Sequence, residues 1–108
     1  MSIDPMRSLE TMHRVGPELA RAKADRVFIE ESLRVIKALQ AAQSSASSVA
    51  QRELDAYASD AYQTALKGLR AAIELEETKR WQLVTAQTAC EVYRTMEASN
   101  RAMDKHAS

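Results

Sequence analysis

From Asp60 to His106 apolar side chains recur every three or four positions, with no proline and one glycine, Gly68. That is helical spacing. It predicts one uninterrupted helix of about 46 residues, roughly 70 Å long at about 1.5 Å per residue, where the helices of compact domains run three or four turns. Leu66, Leu69, Ile73, Trp81, Val84, Thr88, Val92, Met96 and Met103 form its leading stripe, and a second line of Tyr62, Ala65, Ala72, Leu83, Cys90 and Tyr93 runs beside it. Glu76, Arg80, Gln87, Arg94, Glu97 and Arg101 interrupt the seam between them. Glu76/Arg80 and Glu97/Arg101 lie at i,i+4 and read as surface pairs worth a few tenths of a kcal/mol each. The sharper alternative places some of these polar residues inside a helix–helix seam, where they fix register.

Upstream the pattern is more broken. Residues 1–15 carry Pro5 and scattered apolar positions (Ile3, Met6, Leu9, Met12) and read as an N-terminal arm. Gly16-Pro17 punctuates the chain, with Pro17 suited to the first position of a helix and Glu18 to its positive end. That helix is predicted to run to about Gln40, supported by the i,i+4 pairs Arg26/Glu30 and Glu30/Arg34. Its apolar residues divide between two sides: Leu19, Ala22, Ile29, Leu33 and Ile36 on one, Ala24, Val27, Phe28, Val35 and Leu39 on the other. Such an arc is wider than one neighbour covers. Ala41 to Ser48 holds four serines in five residues, which compete with the backbone for hydrogen bonds, so it is predicted to be a turn. Ser48 followed by Gln51 fits a capping box opening a short helix from Val49 to Ala58. Ser59-Asp60 then offers a kink or a fresh cap before the long helix.

These elements predict an all-α fold: an antiparallel helical hairpin with one long C-terminal helix, coiled-coil-like and oligomeric, comprising an arm at 1–15 and a hairpin domain at 16–108. A first helix of about 25 residues covers about half of the long one and leaves the apolar positions after about Val84 without a lid from the same chain. A second subunit is the simplest cover, and Phe28, Val35, Leu69, Ile73, Trp81 and Val84 are the expected oligomer seam of a homodimer. Beyond it, Val92, Arg94, Met96, Glu97, Asn100, Arg101 and Met103 mix adaptable methionines with arginines, a combination suited to a protein partner.

Composition narrows the function classes. Lys+Arg and Asp+Glu are both 15, so no global basic field drives nucleic-acid binding. Arg14, Arg21, Lys23, Arg26, Arg34 and Lys37 make the first helix locally basic, but without a recognition motif or interleaved aromatics this is a weak nucleic-acid signal. Aromatics are only 5% of the chain, and much of the apolar fraction is alanine, which favours close helix packing. The single cysteine, Cys90, cannot form an intramolecular disulfide, the N-terminus does not resemble a signal peptide, and no apolar run approaches a membrane span. A cytoplasmic protein that does not enter the membrane is expected.

Catalytic chemistry is sparse. His13 and His106 lie near opposite ends, without a carboxylate or cysteine at metal-ligand spacing. Arg94 lies four residues after Cys90, but a small residue in a helix seam is the expected role of that thiol. Glu74, Glu76 and Glu77, facing Glu30-Glu31 across a hairpin, are the one pattern worth a metal-dependent hypothesis. All-α nucleotide pyrophosphohydrolases hold Mg²⁺ with clustered helical carboxylates, yet they carry a second paired-acid motif, and Glu91 and Glu97 have no acid three residues on. A solvated charged face is the preferred reading, and no metal, cofactor or catalytic residue is expected.

The segments Ala22-Lys-Ala-Asp-Arg-Val-Phe-Ile-Glu-Glu31, Glu53-Leu-Asp-Ala-Tyr-Ala58, Leu69-Arg-Ala-Ala-Ile-Glu-Leu-Glu-Glu77, Arg80-Trp-Gln-Leu-Val-Thr-Ala-Gln87, Glu91-Val-Tyr-Arg94 and Glu97-Ala-Ser-Asn-Arg-Ala-Met-Asp104 together resemble a set of small helical proteins encoded by tailed phages and prophages. The resemblance covers most of the chain from about Ala20. It implies a phage origin, action in a bacterial host cytoplasm and association with early-gene regions that hold recombination functions. It carries over no catalytic residues; Asp25-Arg26 and Asn100-Arg101 are the polar positions it brings forward. The resulting expectation is a noncatalytic accessory protein, for instance an inhibitor or modulator of a host or phage nuclease, defence or recombination complex. The alternatives are a nucleic-acid-binding accessory protein of phage recombination and, well behind it, an Mg²⁺-dependent nucleotide hydrolase.

Overall fold

The computed structural model describes residues 2–107, and among them there are three helices and no strand: α1 (Pro5–Gln43), α2 (Val49–Ala58) and α3 (Asp60–Ala107). The chain is an all-α antiparallel helical hairpin. It divides into two compact units, one formed by Ala20–Glu77 and the other by the two ends of the chain, up to Leu19 and from Thr78 on.

Each helix end has an identifiable cause. Asp4 caps α1: its Oδ1 accepts from the backbone N–H groups of Met6 (3.0 Å) and Arg7 (3.3 Å), and Pro5 follows at the first helical position, where its missing N–H is harmless. The expected helix start at Pro17 is therefore corrected by twelve residues, and the segment taken as an arm is the N-terminal end of α1. Pro17 sits inside the helix. It removes one backbone bond, at a cost of about 3 kcal/mol for an interior proline. Tertiary packing offsets this: Val15 is fully buried, Leu19 is half-buried, and the Glu18 carboxylate accepts from Lys79 Nζ at 2.6 Å.

The serine-rich turn is ordered by its own side chains. Ser44 donates to Asp55 Oδ2 (2.6 Å) and accepts from the Ala46 N–H (3.2 Å), while Arg52 Nε donates to the Ala46 carbonyl (2.7 Å). Ser48 caps α2 by accepting from the Gln51 N–H at 3.1 Å. The box is half-formed, since the Gln51 amide donates to Asp55 Oδ1 (2.9 Å). The break at Ser59 is real. Its extended backbone ends α2, its hydroxyl donates to the Ala56 carbonyl (2.7 Å), and the same oxygen accepts from the Tyr62 N–H (3.2 Å). Tyr57 and Tyr62 meet edge-to-face across the bend, with centroids 5.2 Å apart.

Packing follows a strict alternation of three- and four-residue steps. In the Ala20–Glu77 unit, Ala22, Arg26, Ile29, Leu33, Ile36 and Gln40 of α1 and Tyr62, Ala65, Leu69, Ala72 and Glu76 of α3 are all buried or half-buried. In the unit of the chain ends the same holds for Pro5, Ser8, Met12, Val15 and Leu19 of α1 and for Lys79, Leu83, Ala86, Cys90 and Tyr93 of α3. This is the 3.5-residue period of a coiled-coil seam. The packed line of α3 is thus the one read as secondary from the sequence. Most of the leading stripe is exposed: Leu66, Ile73, Trp81, Val84, Thr88, Val92, Met96 and Met103. The longer α1 also corrects the expected lack of cover after Val84, because Ala86 is buried and Cys90 and Tyr93 are half-buried.

Candidate functional site

At one seam position in the Ala20–Glu77 unit, apolar packing gives way to charge. The Glu76 side chain is only 4% exposed, and its carboxylate takes a two-pronged bond from Arg26, Nε to Oε2 and Nη2 to Oε1 (3.4 Å). The same guanidinium donates through Nη1 to Glu30 Oε1 at 2.7 Å. These bonds, that to Glu76 first, raise the already high pKa of Arg26. Glu76 is therefore not a surface residue, as the pairing with Arg80 suggests, but a buried polar residue of the seam. The Glu30-Glu31/Glu74-Glu76-Glu77 hypothesis is half realised in geometry. Glu30 and Glu76 do converge, and the cation between them is Arg26. Among the described residues, no group of three or more His, Cys, Asp or Glu side chains is arranged to hold a metal ion.

The other basic residues of α1 are similarly engaged. Lys37 donates to Glu53 Oε1 at 2.7 Å and lies 4.5 Å from the Tyr57 ring centroid, contacts that hold its pKa well above the ordinary lysine value. Arg14 reaches Glu18 (3.4 Å), and Arg34 stands 4.0 Å from Glu31. The carboxyl of Glu18 is held below its ordinary value, chiefly by the bond from Lys79. That of Asp55 is held down by Ser44 and then Gln51.

Three of the open surfaces hold the residues expected to meet a partner or a second subunit. The first is the outer side of α1. Leu19, Ala22, Ile29, Leu33 and Ile36 pack, whereas Ala24, Val27, Phe28, Val35 and Leu39 are all exposed, Phe28 at 72%. At 3.6 residues per turn these two faces lie nearly opposite one another around the helix. A cleft of about 590 Å³ continues this side toward α2, floored by Ala38, Ala41, Ala42 and Val49 and rimmed by Arg34, Lys37, Arg52 and Glu53. The second surface is the exposed stripe of α3, which holds Ile73, Trp81 (66% exposed) and Val84; Leu69, expected beside them in an oligomer seam, is half-buried at an intrachain seam position.

The third is the end of α3. Every residue from Arg94 to His106 is exposed, including Arg94, Met96, Glu97, Asn100, Arg101 and Met103, and Val92 just before them is 42% exposed. Tyr93 is the last half-buried position. His13 and His106 are both exposed, and Cys90 is a half-buried free thiol. No described helix is long and apolar enough to cross a membrane. The chain matches no protein-family model, no curated protein and no solved structure.

Proposed function

We propose that this chain is a noncatalytic accessory protein that binds another protein through the C-terminal end of α3. The observation that carries this reading is the run of exposed residues from Arg94 to His106 in a helix that continues past its last packed residue. A helix end of this length is marginal alone and is retained here as an extension of a packed helix. Such an end suits the helix-in-groove mode of recognition, with Val92, Met96 and Met103 as apolar anchors and Arg94, Asn100 and Arg101 as polar contacts around them. The resemblance to helical proteins of tailed phages supports a host or phage nuclease, defence or recombination complex as the partner, met in a bacterial cytoplasm.

The nucleic-acid reading loses support from the ion pairs. Arg14, Arg26, Arg34 and Lys37, four of the six cations that made α1 look basic, each have a carboxylate within 4.0 Å. A field neutralised at this range offers little to a phosphate backbone.

The test is photo-crosslinking in bacterial lysate from a reactive amino acid placed at Met96, compared with one at the exposed Gln82. The expected result is one protein captured from position 96 and not from 82, and lost on Met103→Asp. Equal labelling from both positions would contradict the proposal.

A further inference from the structure

The outer face of α1 carries an arrangement that is complementary to itself. Phe28, Val35 and Ala42 follow one another at seven-residue steps, and Ala24, Glu31 and Ala38 do so on the adjoining row. Each row has the heptad spacing of a coiled-coil seam, and all six residues are exposed. When the strip is laid against an antiparallel copy so that the two rows face one another, Phe28 meets Ala38, Val35 meets Glu31 and Ala24 meets Ala42. Phe28 then stands over the small Ala38, Ala24 over Ala42, and Val35 beside the aliphatic stem of Glu31, whose carboxylate is left at the edge of the strip.

The charges agree with the same register. Glu31 is the one acid within the strip and Arg34 flanks it. Their side chains are 65% and 82% exposed and only 4.0 Å apart within one chain. In the antiparallel register Glu31 of each copy comes alongside Arg34 of the other, giving two reciprocal pairs about the twofold axis. A parallel, in-register copy would instead set Glu31 against Glu31.

We propose that the occupant of this face is a second copy of the chain, bound antiparallel along residues 24–42. At about 1.5 Å per residue the strip is about 27 Å long, so the interface is a small one. This narrows the expected oligomer seam to its α1 members, Phe28 and Val35. The face lies on a different helix from the partner-binding end of α3, so the two readings stand or fall separately.

Sedimentation equilibrium from about 5 to 500 μM tests the proposal. The wild-type chain should pass from 12.0 kDa to twice that mass. Phe28→Asp should remain at 12.0 kDa throughout with unchanged helical circular dichroism, because this side chain is 72% exposed in the single chain. Glu31→Arg should weaken dimerisation about tenfold, and adding Arg34→Glu should restore it to within about threefold. A wild-type chain that stays at 12.0 kDa at 500 μM would overturn the proposal, as would a Phe28→Asp variant that dimerises like wild type. Failure of the charge reversal to restore binding would overturn the antiparallel register. Crosslinking from Met96 should be the same in Phe28→Asp as in wild type, which separates loss of the dimer from loss of partner binding.

Discussion

Helix α3 is one element with two regimes. Up to Tyr93 it places a buried or half-buried residue at every third or fourth position, and from Arg94 to His106 it places none. Both stretches are helical and mix alanines with Glu, Arg and Lys, but the first adds Leu, Ile, Val and aromatic side chains where the second has only Met96 and Met103. They also differ in having a neighbour. The last packed residues, Ala86, Cys90 and Tyr93, belong to the same compact unit as Pro5, Ser8, Met12 and Val15 of α1, and α1 begins at the Asp4 cap. Helical periodicity shows that a face exists; where the opposing helix starts decides whether the chain itself can cover it.

The packed stretches should be the more sensitive to substitution. Glu76→Ala leaves the Arg26 guanidinium in the seam without its main partner and should destabilise the hairpin by about 3 kcal/mol, the low end for a buried pair because Arg26 still reaches Glu30 and solvent. Thermal unfolding followed by circular dichroism checks this, with a fall in Tm of about 15 °C expected. Val15→Ala removes two methyl groups from a fully buried site and should cost about 2 kcal/mol by the same assay.

From the unpacked side the effects should be small. Ending the chain after Tyr93 should change stability by less than about 1 kcal/mol while abolishing partner capture. Trp81→Asp, which would be ruinous in a packed seam, should shift stability by no more than about 0.5 kcal/mol, because that side chain is 66% exposed. The smallest expected effect is on pH. Glu18 and Asp55 have folded carboxyls held below their ordinary values of 4.5 and 3.8. Their contribution is present above those values and is lost as pH falls through the lower, folded ones. The melting temperature should therefore decline below about pH 4.5, and Glu18→Gln combined with Asp55→Asn should flatten that decline.

Much of the hairpin was legible because its punctuation is local. The serine cluster, the Ser48 cap and the Ser59-Asp60 break each act within a few residues of chain, and the expected ends of α2 agree with those observed. The start of α1 was misread because Gly16-Pro17 looks like a helix boundary in isolation, while the stronger signal, an aspartate directly before Pro5, lies twelve residues earlier. Packing across the hairpin carries Pro17, and no local rule reveals packing. That the second line of α3 is the intrachain seam is hidden in the sequence for a related reason. Its strict spacing from Tyr62 to Tyr93 passes through Glu76 and Lys79, and these charges made a stripe of larger apolar residues look like the better seam. Arg26 and Glu18 account for both charges, but they lie about 50 and 60 residues away in sequence and only the fold brings them close. The end of α3 stands out in composition through Met96, Met103 and its arginines, whereas its exposure is set by the fold.

Hydrogen–deuterium exchange along α3 in the free chain, at a concentration well below that at which it self-associates, tests the contrast most directly. Slow exchange through about Tyr93, falling to near the rate of an isolated helix from about Met96 to His106, is the predicted result. Protection across residues 96–106 equal to that across 83–93 would contradict it, because it would mean that the end of α3 is already packed and is not available to a partner.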